Sequence, residues 1–315
     1  MINLSLNRDL KTMSENFYKL IESELVNRLD DQKTYFNSFQ TKSKEHLGDY
    51  LEKNLKTIII GELDFLIKNI KPELDEIFKT NYKTIAKKPT PFKSKIDRLL
   101  FFEEHDKWNA YSFTQQFKLS CCPYCNRTYI TTLGETKNKF FRPDIDHFLA
   151  KSKYGYLRFS FFNLIPSCVI CNRNAKGRKE TSLTKNAYPY KEGFGNLAKF
   201  NYLPSPVGLH TIYFDFFCSK AEIKKLNSNI DLFKLKEQYS THYLEIDHLK
   251  FLHDKFNDTY IEDLMTNYPG IIKDKKEAYL IAFGKEYDLI NDEKRPLSKF
   301  TRDIAENMGL LKYMK

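Results

Sequence analysis

Two pairs of cysteines constrain this 315-residue chain more than any other feature. Cys122 and Cys125 form the first pair, in CCPYCN, and Cys168 and Cys171 form the second, in CVICN. Two intervening residues let both thiolates of a pair reach one ion, and four thiolates complete a tetrahedral zinc site. We therefore predict a structural Zn²⁺ held by these four residues. The 42 residues between the pairs must then form a folded segment whose two ends are held together by the metal.

The other two cysteines are less informative. Cys121 competes with Cys122 as a ligand, although the two-residue spacing to Cys125 favours Cys122, and Cys218 is interpreted as a core residue. We find neither an apolar leader nor an uninterrupted run of about 18 apolar residues, so we expect a cytoplasmic protein that does not enter a membrane. In that compartment, cysteines bind metals more often than they form disulfides.

The chain on either side of the cysteines has the periodicity of helices. Apolar residues recur every three to four positions in residues 1–80 and again after residue 225. We predict a mainly α protein with a small central α+β module. Its parts are an N-terminal helical region (1–86), a basic linker and connecting segment (87–114), the zinc-bound module (115–185) and a C-terminal mainly helical region (186–315). The linker is placed at KKPTPFKSK because its two prolines are expected to break a helix.

The net charge of +10 is concentrated in two stretches. Residues 79–98 contain seven basic and one acidic side chain, and residues 151–200 contain ten basic and two acidic ones. Such a surface attracts polyanions and releases their counterions, so we expect a nucleic-acid partner. The candidates for phosphate contacts are Lys151, Lys153, Arg158, Arg173, Lys176, Arg178 and Lys179. For any one of them a solvated surface charge is an equally good interpretation.

Three short motifs follow one another between and after the cysteine pairs. They are DIDH (Asp144–His147), NLIPSC, which begins at Asn163, and CNRNAKG, which contains Asn172. On a strand, Asp146 and His147 face opposite sides, so a carboxylate and an imidazole can approach a metal and a water separately. An imidazole with an ordinary pKa near ~6.5 accepts a proton at neutral pH. Oxygen donors suit Mg²⁺ or Mn²⁺, whereas thiolates select zinc.

In this order, within residues 120–180, the motifs resemble the HNH nuclease superfamily, whose shared unit is a β-hairpin and a helix around one metal, the ββα-metal finger. The resemblance implies four catalytic residues. His147 matches the general base, Asp146 and Asn172 match the ligands of a catalytic Mg²⁺ or Mn²⁺, and Asn163 matches the residue that steadies the loop bearing His147. Asp144 is a candidate for supporting either Asp146 or His147, and the alternative is a solvated acid on the surface.

This chain departs from the family at two loop positions. Ala150 and Gly155 stand where many members have proline. The departures bear on the rigidity of the loop that contains Ala150 and Gly155, and not on the chemistry of the site.

The implied function is that of a metal-dependent HNH endonuclease that hydrolyses phosphodiester bonds of DNA. The same stretch is similar to nuclease subunits of Septu-type antiphage defence systems, which work with a separate ATPase, and no GxxxxGK[ST] phosphate loop occurs in this chain. Two alternatives stay open. One is an RNase of the same chemistry acting on structured RNA, and the other is a non-catalytic zinc-bound module that binds nucleic acid or a partner.

Two further patterns are interpreted as structural. EIDH (Glu245–His248) looks like DIDH, but it has helical spacing and no cysteine pair follows it. Tyr154, Tyr156 and Phe159 can stack on bases, although core packing is the favoured interpretation.

Overall fold

A computed structural model describes residues 1–100, 109–134, 138–205, 210–256 and 259–314. Within these ranges the fold is mainly helical and contains four antiparallel two-stranded hairpins. The mainly helical class predicted from the sequence is therefore correct. No helix in the described part of the chain is long and apolar enough to cross a membrane.

The N-terminal region is a set of amphipathic helices. The first begins where the Asp9 carboxylate accepts a hydrogen bond from the Thr12 N–H at 3.0 Å. Its apolar face is buried and consists of Phe17, Tyr18, Ile21, Leu25, Leu29 and Phe36. A π-helical turn (Leu66–Ile70) lies between the third and fourth helices. The helices are α1 (Leu10–Phe36), α2 (Leu47–Ile60), α3 (Leu63–Phe65) and α4 (Lys71–Asn81).

The stretch predicted to be a basic linker contains regular secondary structure between residues 88 and 99. A small hairpin of β1 (Thr84–Ile85) and β2 (Lys88–Pro89) leads into α5 (Pro91–Leu99), which buries Phe92 and Ile96. Proline at the first turn of a helix loses no hydrogen bond, so Pro91 starts this helix. Residues 101–108 of the connecting segment lie outside the described ranges, and α6 (Ala110–Phe117) follows them.

The central region contains two hairpins and a short helical segment. Strands β3 (Leu133–Gly134) and β4 (Lys139–Phe141) pair with each other, as do β5 (Asp144–His147) and β6 (Leu164–Ser167). A π-helical segment (Ile170–Lys176) follows β6, and it ends where the Gly177 N–H donates to the Asn172 carbonyl at 2.8 Å.

The C-terminal region is helical apart from one hairpin. Strands β7 (Ala198–Leu203) and β8 (Thr211–Phe216) pair along their whole length, and the last helix packs on β7. The helices are α7 (Lys220–Leu232), α8 (Leu235–Ser240), α9 (Tyr243–Phe256), α10 (Tyr260–Asn267), α11 (Lys275–Phe283) and α12 (Ser298–Asn307).

Both flanking regions contact the central module. From the N-terminal side, the Phe17 ring lies 5.4 Å from that of Phe159 and 5.7 Å from that of Phe161. From the C-terminal side, Asn126 donates to the Asp292 carbonyl at 2.6 Å and accepts from the Leu297 N–H at 2.7 Å. The residue after the first cysteine pair is therefore held by the segment that leads into α12.

Candidate functional site

The four predicted zinc ligands lie together. The sulfurs of Cys122, Cys125, Cys168 and Cys171 are all within 4.8 Å of one another and buried, and the Cys125 and Cys168 sulfurs are 4.0 Å apart. Thiolates about 2.3 Å from a tetrahedral zinc ion are about 3.8 Å from one another, so the cluster can bind a metal such as zinc. Cys121 is buried beside it but is not a member, and Cys218 lies elsewhere, half-buried against the core.

The geometry of the second knuckle supports this role. The backbone N–H groups of Cys168 and Cys171 each donate to a cysteine sulfur at 3.4 Å. Burial also raises the pKa of the Cys122 thiol well above its usual range. Four buried thiolates this close together repel one another, so a cation between them is needed to keep all four ionised.

The strand β5 presents its two aspartates to the π-helical segment. Because strand side chains alternate, Asp144 and Asp146 share the face that packs against residues 170–176. Asn172 and Arg173 contact Asp144, whereas Lys176, one turn further on, contacts Asp146. The two carboxylates thus have different partners.

Asp146 is locked in the interior. Its oxygens lie 2.8 and 2.7 Å from the Lys176 ammonium, and one of them accepts from the Tyr124 hydroxyl at 2.6 Å. Lys176 also donates to the carbonyl of His147 at 2.5 Å. Asp146 and Lys176 are each only 4% exposed.

Two predicted roles do not fit this arrangement. Lys176 was expected to contact phosphate, but its ammonium is buried and occupied by protein oxygens. Asp146 was expected to bind Mg²⁺ with Asn172, but its oxygens face Lys176 and Tyr124, and Asn172 lies against Asp144 instead. In this arrangement both Asp146 oxygens are occupied by protein donors, although the residue borders the cleft.

Asp144 and Asn172 are better placed for a hard cation. The Asn172 amide lies 3.2 Å from an Asp144 oxygen, and turning that amide over would present its oxygen instead. Burial opposes ionisation of Asp144, but hydrogen bonds from Arg173 and Asn172 outweigh it and keep the pKa of Asp144 below its usual value. The Arg173 side chain is 67% exposed and can turn into solvent. These oxygen donors fit Mg²⁺ or Mn²⁺.

His147 lies beside the cleft with a defined tautomer. Its Nε2 lies 2.9 Å from the Arg158 carbonyl oxygen. A carbonyl only accepts, so Nε2 carries the proton and Nδ1 keeps its lone pair. Burial, reinforced by the positive charge of Lys151, lowers the pKa of His147 to about 4. The ring is therefore neutral at physiological pH and able to accept a proton.

Asn163 fixes the loop that follows His147. Its buried side chain accepts from the Leu149 N–H at 2.7 Å and donates to the carbonyls of Leu149 and Leu157 at 3.1 and 3.0 Å. The amide therefore ties both ends of the loop to the start of β6.

A cleft of about 540 Å³ lies next to strand β5 and the π-helical segment. Asp144, Asp146, His147 and Asn172 line it together with seven cationic side chains. Those side chains are Arg142, Lys151, Arg158, Arg173, Lys176, Arg178 and Lys179. Six of the seven predicted phosphate contacts are thus at the cleft, which gives it a strong positive excess.

The exceptions are also informative. Lys153 is absent from the lining of the cleft and pairs with Glu180 at 3.0 Å, and Arg158 forms an ion pair with Asp97. Two residues of the site were not predicted from the sequence. Arg142 lies just before β5 and lines the cleft. Tyr124 contacts Asp146, and its position between two ligand cysteines was the signal that could have identified it.

The patterns interpreted as structural behave as such. Tyr156 and Phe159 are buried, and Tyr154 is half-buried. EIDH lies on α9, where Asp247 pairs with His210 at 3.0 Å and His248 is exposed.

No protein-family model matches this chain, and the searches of curated proteins and of solved structures found no significant match. The function must therefore be argued from the cleft and the motifs.

Proposed function

We propose that the protein is a metal-dependent endonuclease of the HNH type that hydrolyses phosphodiester bonds, with DNA as its preferred substrate. The observation that carries the proposal is the position of His147. Its Nε2–H is tied to a backbone carbonyl while Nδ1 keeps a lone pair, in a strongly cationic cleft that also contains carboxylate and amide oxygens.

The residues divide the chemistry between them. Nδ1 of His147 removes a proton from the attacking water, a contribution of about 10²- to 10⁴-fold from a positioned base. A Mg²⁺ or Mn²⁺ ion held by Asp144 and Asn172 would supply positive charge to the departing oxygen. Arg178 and Lys179 hold the phosphate backbone without reading its sequence.

The structural metal and the wider setting complete the proposal. Zn²⁺ on the four cysteines would hold together the two ends of the segment that contains β5 and β6. In this proposal, β5 and β6 are the hairpin of a ββα-metal finger. The resemblance to Septu-type nuclease subunits supports a role in cytoplasmic antiphage defence with a separate ATPase.

The test is cleavage of plasmid DNA and of total RNA by the purified protein in Mg²⁺, with and without EDTA. We expect wild type to nick DNA and His147→Ala to be inactive but folded. His248→Ala is the matched control, because this exposed histidine also follows an aspartate and lies outside the cleft. Cleavage of RNA alone would indicate the RNase alternative, and equal cleavage by wild type and His147→Ala would refute the assigned base.

A second candidate is a zinc-bound module that binds nucleic acid without cutting it. The observation that favours it is that both aspartates of β5 are already paired with cations, Asp144 with Arg173 and Asp146 with Lys176. This module would bind DNA both in Mg²⁺ and in EDTA and would leave the strand intact in both. A nuclease would instead cut in Mg²⁺, Mn²⁺ or both.

A further inference from the structure

The β3–β4 hairpin presents apolar side chains to solvent. Phe140 is 82% exposed, Phe141 45% and Leu133 49%. Phe140 occupies a β-bulge, since Leu133 pairs with Phe141 and Gly134 pairs with Lys139, which leaves Phe140 without a partner on β3. Bulges re-aim side chains and are common beside active sites.

The base of the hairpin is hydrogen-bonded to α6. The Thr132 hydroxyl lies 2.9 Å from that of Thr114, and Gln115 donates to the Gly134 carbonyl at 3.3 Å. Gly134 has φ +92, and a Cβ there would come within 2.4 Å of the Asn138 carbonyl oxygen. The bulge thus depends on glycine at this position.

The hairpin also continues directly into the cleft. Arg142 follows Phe141 in the chain, lines the cleft and lies over the Tyr111 ring at 5.9 Å. Four residues of extended chain span at most about 14 Å, so Phe140 is within that distance of Asp144. At about 3.4 Å per nucleotide, this is within about four nucleotides of the proposed reaction centre.

We propose that this hairpin is a base-stacking element, which places Phe140 and Phe141 against or between bases of the nucleic acid whose backbone lies in the cleft. The proposal rests on the nucleic-acid substrate argued above. The continuity with a cationic cleft favours nucleic acid over a protein partner, because the adjoining surface attracts phosphates. Exposed Phe and Leu side chains are the type that stack on or wedge between bases.

The experiment measures binding of a short fluorescent single strand and of the corresponding duplex to the intact chain carrying His147→Ala, which prevents cleavage. Phe140→Ala and Phe141→Ala are added singly. Phe217→Ala is the matched control, since this phenylalanine is 62% exposed and does not line the cleft. Thermal melts check that all variants are folded, and gel filtration reports their oligomeric state.

We expect Phe140→Ala to weaken single-strand binding by about 5- to 150-fold, the fold-change that corresponds to about 1–3 kcal/mol of base stacking. The slope of log affinity against log salt should stay the same, because no phosphate contact is lost. Phe217→Ala should change affinity less than about twofold.

Three outcomes would overturn the inference. Binding by the Phe140 and Phe141 variants that is as tight as that of the parent and of the Phe217 variant would refute the stacking role and leave the nuclease proposal standing. A change in oligomeric state in place of a change in affinity would make the hairpin a contact between copies. Absence of nucleic-acid binding by the parent chain would overturn the proposed function as well.

Discussion

Replacing Lys176 with methionine should destabilise the protein rather than weaken its hold on DNA. The side chains of Lys176 and Asp146 are only 4% and 5% exposed, and the ammonium contacts both carboxylate oxygens. Methionine keeps much of the volume but leaves a buried carboxylate whose remaining hydrogen bond, among the residues the structure describes, comes from the Tyr124 hydroxyl. Breaking one side of a buried ion pair costs about 3–5 kcal/mol, and we expect Lys176→Met to cost this much.

The assay is the free energy of unfolding from urea denaturation, followed by circular dichroism. Lys179→Met is the control, since this lysine also lines the cleft but is exposed and should change stability by less than about 0.5 kcal/mol. Combining Lys176→Met with Asp146→Leu removes both charges and should recover part of the loss, giving a coupling energy of about 0.5–3 kcal/mol.

A different result would refute this reasoning. If Lys176→Met changed stability as little as Lys179→Met does, but flattened the salt dependence of DNA binding, Lys176 would be a phosphate contact. Asp146 would then be available to a metal ion, as the family resemblance implies. The experiment therefore separates the two roles of this buried pair.

Four other predictions test the remaining parts of the site. Cys168→Ser should unfold the central module, because structural zinc binding is worth about 10–16 kcal/mol, and elemental analysis of wild type should find about one zinc per chain. Between pH ~6.5 and about 4 the unfolded chain binds the proton of His147 more readily than the folded chain does, because burial lowers the pKa of His147. This residue's contribution to the free energy of unfolding is therefore complete above pH ~6.5 and is lost as the pH falls towards 4. The rate of single-turnover cleavage should decline on acidification near pH 4. A decline of that rate near pH ~6.5 instead would contradict the buried, neutral ring. Asp144→Asn should lower Mg²⁺-dependent cleavage by about 100-fold or more without unfolding the protein, and near wild-type rates would remove Asp144 from the cation site. Arg178→Ala should flatten the salt slope of duplex binding by up to ~0.9, whereas Lys153→Ala, outside the cleft, should not, and equal slopes would place the DNA elsewhere.

Local spacing was enough to predict the parts of the site that depend on it. A two-residue gap fixes how two cysteines can share an ion, so the cluster of four was predictable from sequence alone. Strand alternation likewise predicted that Asp146 and His147 point apart, and β5 has that geometry.

The partners of the two aspartates were not predictable in this way. They depend on how Asn172 and Lys176 are spaced around a π-helical segment, a geometry with no reliable signature in sequence. A buried pair such as Asp146 and Lys176 also spans 30 residues, so composition and charge counts cannot distinguish it from two surface charges. The helix α5 could have been predicted, because Thr90 and Pro91 are a helix start that was interpreted as a helix break.

The cysteine cluster and strand β5 are mechanically one unit. Tyr124 lies between the two cysteines of the first knuckle, and Lys176 ends the π-helical segment that contains Cys171. Both side chains converge on Asp146, and Lys176 also bonds to the carbonyl of His147. A displacement of either knuckle must therefore move the backbone that carries His147. Asp146 therefore connects the cysteine cluster to the backbone of His147 through Tyr124 and Lys176. This connection accounts for a carboxylate that is buried next to a histidine in a cationic cleft.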